Sequence, residues 1–142
     1  MPPQLQSPEI QAFATGFPLT LLHAGVTTLI LFLGSLAYVM LTPHKEITLI
    51  REGNAAAAVS LAGVLVGLSI PLAVSLNAST SMIEIAVWGA STVVVQLLVF
   101  RVVDLLLRGL PQRIQEGEVA AAALLVGAKL ATAIILAAAV AG

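Results

Sequence analysis

A lysine set in the middle of an apolar run is the residue of this chain best placed to do chemistry. Lys129 lies eleven residues into the run 119–141, about 17 Å from its start at 1.5 Å per residue and so near the centre of a bilayer. A charge there costs about 2.5 to 3.5 kcal/mol on insertion scales, and such residues usually face protein or water and often mark a pathway. Gln96, in the run 82–107, is the strongly polar residue at matching depth, and Thr132 follows Lys129 by one turn. Gln96, Lys129 and Thr132 form the candidate intramembrane polar site. Four arrangements stay open for the lysine: snorkelling to the interface, neutrality through desolvation, contact with Gln96 and Thr132, or a water cavity shared between protomers. Asp104 and Glu84 sit about 12 Å below and 18 Å above Gln96 along a straight helix, so a direct ion pair with Lys129 is not expected. Asp104 is instead expected to pair with Arg101, three residues back on its own helix.

Glu52 and Glu116 are a second pair of candidates, because two equivalent carboxylates on one rim can hold a cation or act as acid and base. Each belongs to a boundary, Glu52-Gly53-Asn54 and Glu116-Gly117-Glu118, placed where a new helix begins. The unpaired amides of a helix start attract acidic and amide side chains, and glycine permits the turn into it. Capping is therefore favoured over catalysis. His23 has no second ligand at metal spacing, and Trp88 and Tyr38 read as packing or interfacial residues. Nucleophile elbows, phosphate-binding glycine loops and metal-binding histidine pairs are absent. An enzyme is not expected, and neither a cofactor nor a metal is implied.

These residues are carried by four apolar runs, 18–41, 55–76, 82–107 and 119–141, each of about the 20 residues that cross a bilayer as helix. With 59% hydrophobic and 9% charged residues and a mean hydropathy of +1.07, too little polar surface remains to coat a soluble globule. The fold expected is all-α and integral to the membrane. Six Lys and Arg in all make nucleic acid an unlikely partner. No cysteine is present, which removes disulfides and thiolate chemistry. Lys45 and Arg51 lie in the first hairpin loop, 42–54, and Arg101, Arg108 and Arg113 in or beside the second, 108–118. Both loops should face the cytoplasm and both termini the periplasm. Residues 1–17 read as a periplasmic segment, either a short interfacial helix starting at Ser7-Pro8-Glu9 or a disordered end.

The chain is also written twice, residues 14–78 aligning without a gap on 78–142. Repeat 1 thus covers 18–78 and repeat 2 covers 79–142. Each holds two spans, so the copies enter the membrane in the same direction, unlike the inverted repeats of many transporters. Small residues at helical spacing, Gly63 and Gly67 in one copy and Ala123, Gly127 and Ala131 in the other, form flat strips. Such strips let helices approach in lipid, either within a protomer, where the second and fourth spans meet along them, or between copies in a homo-oligomer. The loops, with Pro43, Ile47, Ile50, Leu110 and Ile114 among their charges, read as interfacial connectors or as a docking surface for a cytoplasmic or membrane protein partner.

The segment from Glu46-Ile47 through Ile50-Arg51-Glu52-Gly53-Asn54-Ala55-Ala56-Ala57, with Gly63, Gly67, Ile70, Pro71 and Leu72, resembles the YjfL-like bacterial inner-membrane family, domain of unknown function 350. Trp88-Gly89 followed by Gln96-Leu97 carries the same resemblance. It implies a four-span protein of the bacterial inner membrane with Gln96 in the family pattern, and it suggests an envelope-stress setting. Lys129 departs from that pattern. The leading expectation is a self-associating structural or envelope-stress component in contact with the lipid bilayer. The alternative is a small oligomeric ion channel or transporter with a polar path near Gln96 and Lys129.

Overall fold

The computed structural model describes residues 7–42 and 45–142. They form six helices: α1 (Pro8–Leu41), α2 (Glu46–Arg51), α3 (Ala55–Ala78), α4 (Met82–Leu106), α5 (Leu110–Gln115) and α6 (Val119–Ala141). Four of them, α1, α3, α4 and α6, are long and apolar enough to cross a membrane. The short α2 and α5 sit in the two hairpin connections and define one face of the molecule. Residues 1–6, and Pro43 and His44 of the first loop, lie outside the described residues.

Short polar side chains open α1, α3 and α4. Ser7 Oγ accepts from the Ile10 amide, Asn54 Oδ1 from the Ala57 amide, and Ser81 Oγ from the Glu84 amide, each satisfying a donor that the first helical turn leaves unpaired. Pro18 does not begin a helix of its own. Ser7 and Pro8 start a single 34-residue α1 that runs through it, so the expected interfacial helix and the first span are one element about 51 Å long.

The same turn precedes α3 and α6. Gly53 and Gly117 have φ of 88° and 87°, a left-handed conformation that costs a side chain about 1 to 2 kcal/mol. Their amides donate to the Ile50 and Ile114 carbonyls, and the next amides, of Asn54 and Glu118, reach back to Leu49 and Arg113. Glu118 departs from the expected capping role: its side chain makes no cap hydrogen bond and instead pairs with the Arg113 guanidinium.

Helix α3 is the centre of the bundle and shares its most extensive interface with α6. Near α2 and α5 the core consists of Ala56, Ala57, Val103, Leu110, Ile114, Ala121, Ala122 and Leu125. The apolar residues Leu110 and Ile114 of α5 therefore point inward and close the bundle rather than facing lipid. A second cluster of Tyr38, Val64, Leu68, Leu72, Val93 and Phe100 fills the middle. Gly63 and Gly67 are buried, one under Val126 and the other under the Phe100 ring, so on α3 the small strip serves packing within the chain. On α6 it does not. Ala123, Gly127 and Ala131 are exposed and nothing lies within 4 Å of Gly127, because α6 turns Ala121, Ala122, Leu125, Lys129, Ala133 and Ala137 inward instead. The two strips do not meet.

Candidate functional site

Lys129 is buried, at 1% exposure, and its ammonium is surrounded. Nζ lies 2.9 Å from Asp104 Oδ1 and donates to the Tyr38 hydroxyl at 2.9 Å. It also stands 4.8 Å from the centre of the Tyr38 ring and 5.3 Å from that of Phe100, within reach of the negative faces of both. Tyr38 and Phe100 meet edge to face at 6.3 Å and 89°, which fixes the walls of the pocket.

The ion pair overturns two expectations drawn from straight-helix depth. Cα–Cβ bonds lean toward a helix's own N-terminus. Helices α4 and α6 are joined through α5 and run antiparallel, so the Asp104 side chain leans toward the bilayer middle and the lysine toward the hairpin loops. The four-carbon lysine stem closes the remaining gap. Asp104 consequently pairs across to α6 rather than along α4 to Arg101.

Gln96 and Thr132 do come together, the Gln96 amide donating to Thr132 Oγ1 at 3.4 Å. Thr132 Oγ1 in turn donates to the Lys129 carbonyl at 2.8 Å. The expected trio is thus linked through the lysine backbone, while its ammonium turns away toward Tyr38 and Asp104. Gln96 is fully buried and its Oε1 has no hydrogen-bond partner among the described residues.

Beyond the ion pair, toward the hairpin loops, lies a partly open cavity of about 210 Å³. Tyr38, Ser60, Asp104 and Glu46 line its inner part, and Arg101, Leu105, Arg108 and Gln115 its rim. Glu46, in the first turn of α2, is 3% exposed. Burial pushes its carboxyl up to about 7; Lys129 and a Ser60 hydrogen bond oppose the rise, and Asp104 adds to it. Its Oε2 has no partner among the described residues.

Tyr38 and Glu46 are functional candidates that the sequence reading passed over. The expected repeat alignment held a signal for Glu46: the residue 64 positions on is Leu110, and both are buried. Glu52 and Glu116, by contrast, are exposed and end α2 and α5, away from the cavity lining. Asn54 does more than cap. Its Nδ2 donates to the Ile114 and Gln115 carbonyls at 3.1 and 3.0 Å and ties the start of α3 to the end of α5.

Residues 12–140 match the family described as Domain of Unknown Function (DUF350). Among curated proteins the chain is 37% identical to the UPF0719 inner membrane protein YjfL of Escherichia coli strain K12, covering 80% of this chain and 85% of that protein, with the same values for the O157:H7 protein. No solved structure matches. A family match over nearly the whole chain, a relative of this identity and four apolar helices of spanning length make this a multi-pass inner-membrane protein that belongs to the DUF350 family.

Proposed function

We propose that this protein handles a small ion or proton within the inner membrane and is not an enzyme. One observation carries the reading: a lysine, an aspartate and a tyrosine hydroxyl meet inside the bundle at the inner end of a cavity whose rim carries Arg101 and Arg108. Ionisable groups are rarely kept at such depth without a role in ion or proton movement. Further buried polar groups continue away from the loops, from Gln96, beside the half-buried Thr132, to Thr92 and, on α3, Ser75. The excess of Lys and Arg around the hairpin loops supports a cavity that opens to the cytoplasm, with both termini periplasmic. The matching Gly53 and Gly117 turns support two same-direction two-helix repeats.

The test is flux of protons and alkali cations in proteoliposomes. Wild type should conduct above protein-free vesicles, and Lys129→Met and Gln96→Leu should each lower the rate at least tenfold. Wild-type flux at background, or unchanged flux in both variants, refutes the reading.

A self-associating structural component is the second reading, favoured by the outward position of Ala123, Gly127 and Ala131 on α6. Native mass measurement in nanodiscs tests it, along with docking of a protein partner at the loops. A homo-oligomer that Gly127→Leu dissociates supports self-association, and a monomer without a partner excludes the reading.

A further inference from the structure

Glu46 is not used by the ion pair, yet it is the most deeply buried carboxyl of the site, at 3% exposure against 14% for the Asp104 side chain. It reaches the cavity from α2, outside the four membrane-spanning helices. The groups that face it can be named element by element. Helix α1 presents Tyr38, α3 the Ser60 hydroxyl, α4 Asp104 with Arg101 on the rim, the turn after α4 Arg108, also on the rim, and α6 Lys129. Helix α5 presents no titratable side chain to the cavity.

The charges inside do not balance. One ammonium stands against two carboxyls, and Lys129 is already paired with Asp104. Both arginines are exposed, where water weakens their compensation of a buried charge. Ionised Glu46 would therefore leave an excess negative charge at a buried wall of the cavity, with one oxygen lacking a donor among the described residues and the desolvation cost of a buried carboxylate unmet.

We infer that Glu46 is the proton-binding group of this cavity: its carboxyl, set in the wall with one oxygen unpartnered among the described residues, faces the same space as the Lys129–Asp104 pair and takes up a proton from cavity water that neutralises the second acid. The step is a simple exchange. The carboxyl O–H breaks, the proton leaves to water, and the carboxylate is held by the Ser60 hydroxyl and by attraction to Lys129. As a statement about transport this rests on the reading above and names the proton as the ion bound. As a statement about proton binding it has its own readout.

That readout is infrared difference spectroscopy of the full chain in lipid nanodiscs, following the C=O stretch of protonated carboxyls across the neutral range. Wild type should lose a band with a midpoint near 7, against 4.5 for an ordinary glutamate. Glu46→Gln, close in shape, should abolish that loss. Asp104→Asn should keep it and move the midpoint down, because a neighbouring negative charge is removed. Ser60→Ala should move it up, because the carboxylate loses a donor.

No neutral-range carboxyl in wild type, or a band that survives Glu46→Gln, overturns the inference. Should Glu46→Gln not fold, an unmoved midpoint in Ser60→Ala overturns it instead. The two proposals fail separately: titration without flux retires the transport reading alone, and flux without titration retires the role of Glu46 alone.

Discussion

Lys129 Nζ and Asp104 Oδ1 lie 2.9 Å apart although they belong to antiparallel helices and their backbones sit at different depths. Each side chain leans toward the N-terminus of its own helix, and the two leanings converge. Removing one partner leaves the other charge buried, so Lys129→Met and Asp104→Asn should each cost about 3 to 5 kcal/mol. The double variant should cost less than the sum, with a coupling of about 1 to 3 kcal/mol. Unfolding in mild detergent measures all three, and additive losses would show that the pair is not coupled.

Tyr38 gives the ammonium a hydroxyl acceptor and a ring. Tyr38→Phe keeps the ring and its edge contact with Phe100, and should cost about 1.5 to 3 kcal/mol, the range for a hydrogen bond to a charged group. Tyr38→Leu removes the ring as well and should cost more. Equal losses would mean that the rings contribute nothing.

The glycines of the two strips should respond oppositely. A Cβ on Gly67 would stand 2.7 Å from Phe100 Cζ, and one on Gly63 would run into Val126. Either change to alanine should cost about 1 to 3 kcal/mol through overpacking. Gly127→Ala meets open space and should stabilise the helix by up to about 1 kcal/mol. Thermal unfolding of the three variants decides whether the strip on α6 is free in the protomer.

The raised carboxyl of Glu46 makes stability depend on pH. Between 4.5 and about 7 the folded protein holds a proton that the unfolded chain has released, so stability falls as pH rises through this window. The contribution, up to about 3 kcal/mol, is fully present below 4.5 and lost once the folded protein has released its proton above about 7. Glu46→Gln should flatten the profile in that window. A profile that keeps its slope assigns the titration elsewhere.

Asn54 and Glu118 occupy equivalent positions with unequal duties. Asn54→Ala removes a cap and two bonds to α5 and should cost about 1 to 2 kcal/mol or more. The Arg113 guanidinium holds the Glu118 carboxyl below the usual carboxylate range by hydrogen bond and charge, but the pair is exposed to water, which screens it. Glu118→Ala should therefore cost much less. Chemical denaturation of both variants makes the comparison.

The spans, the glycine turns and the Asn54 cap were legible because each depends on local rules: run length, backbone conformation, and the amides of a helix start. The site was legible only at Lys129 and at the Gln96–Thr132 contact. Asp104 was set aside by counting depth along straight helices, a measure that omits the lean and reach of side chains. Glu46 was hidden because a charged residue in a connecting loop usually faces water. Its burial follows from how α2 docks against α3 and the cavity, which no local pattern records. The expected repeat alignment is no guide to packing at one position: Leu65 is exposed whereas Lys129, 64 residues on, is buried.

Chain order gives the Lys129 contacts a meaning for biogenesis. Tyr38 and Asp104 both precede Lys129 in the sequence, and a chain synthesised from its N-terminus presents them to the bilayer first. When α6 inserts, its lysine meets a counter-ion and a hydroxyl already delivered by α1 and α4. The insertion penalty of a lone charge is then offset by groups that entered the membrane before it.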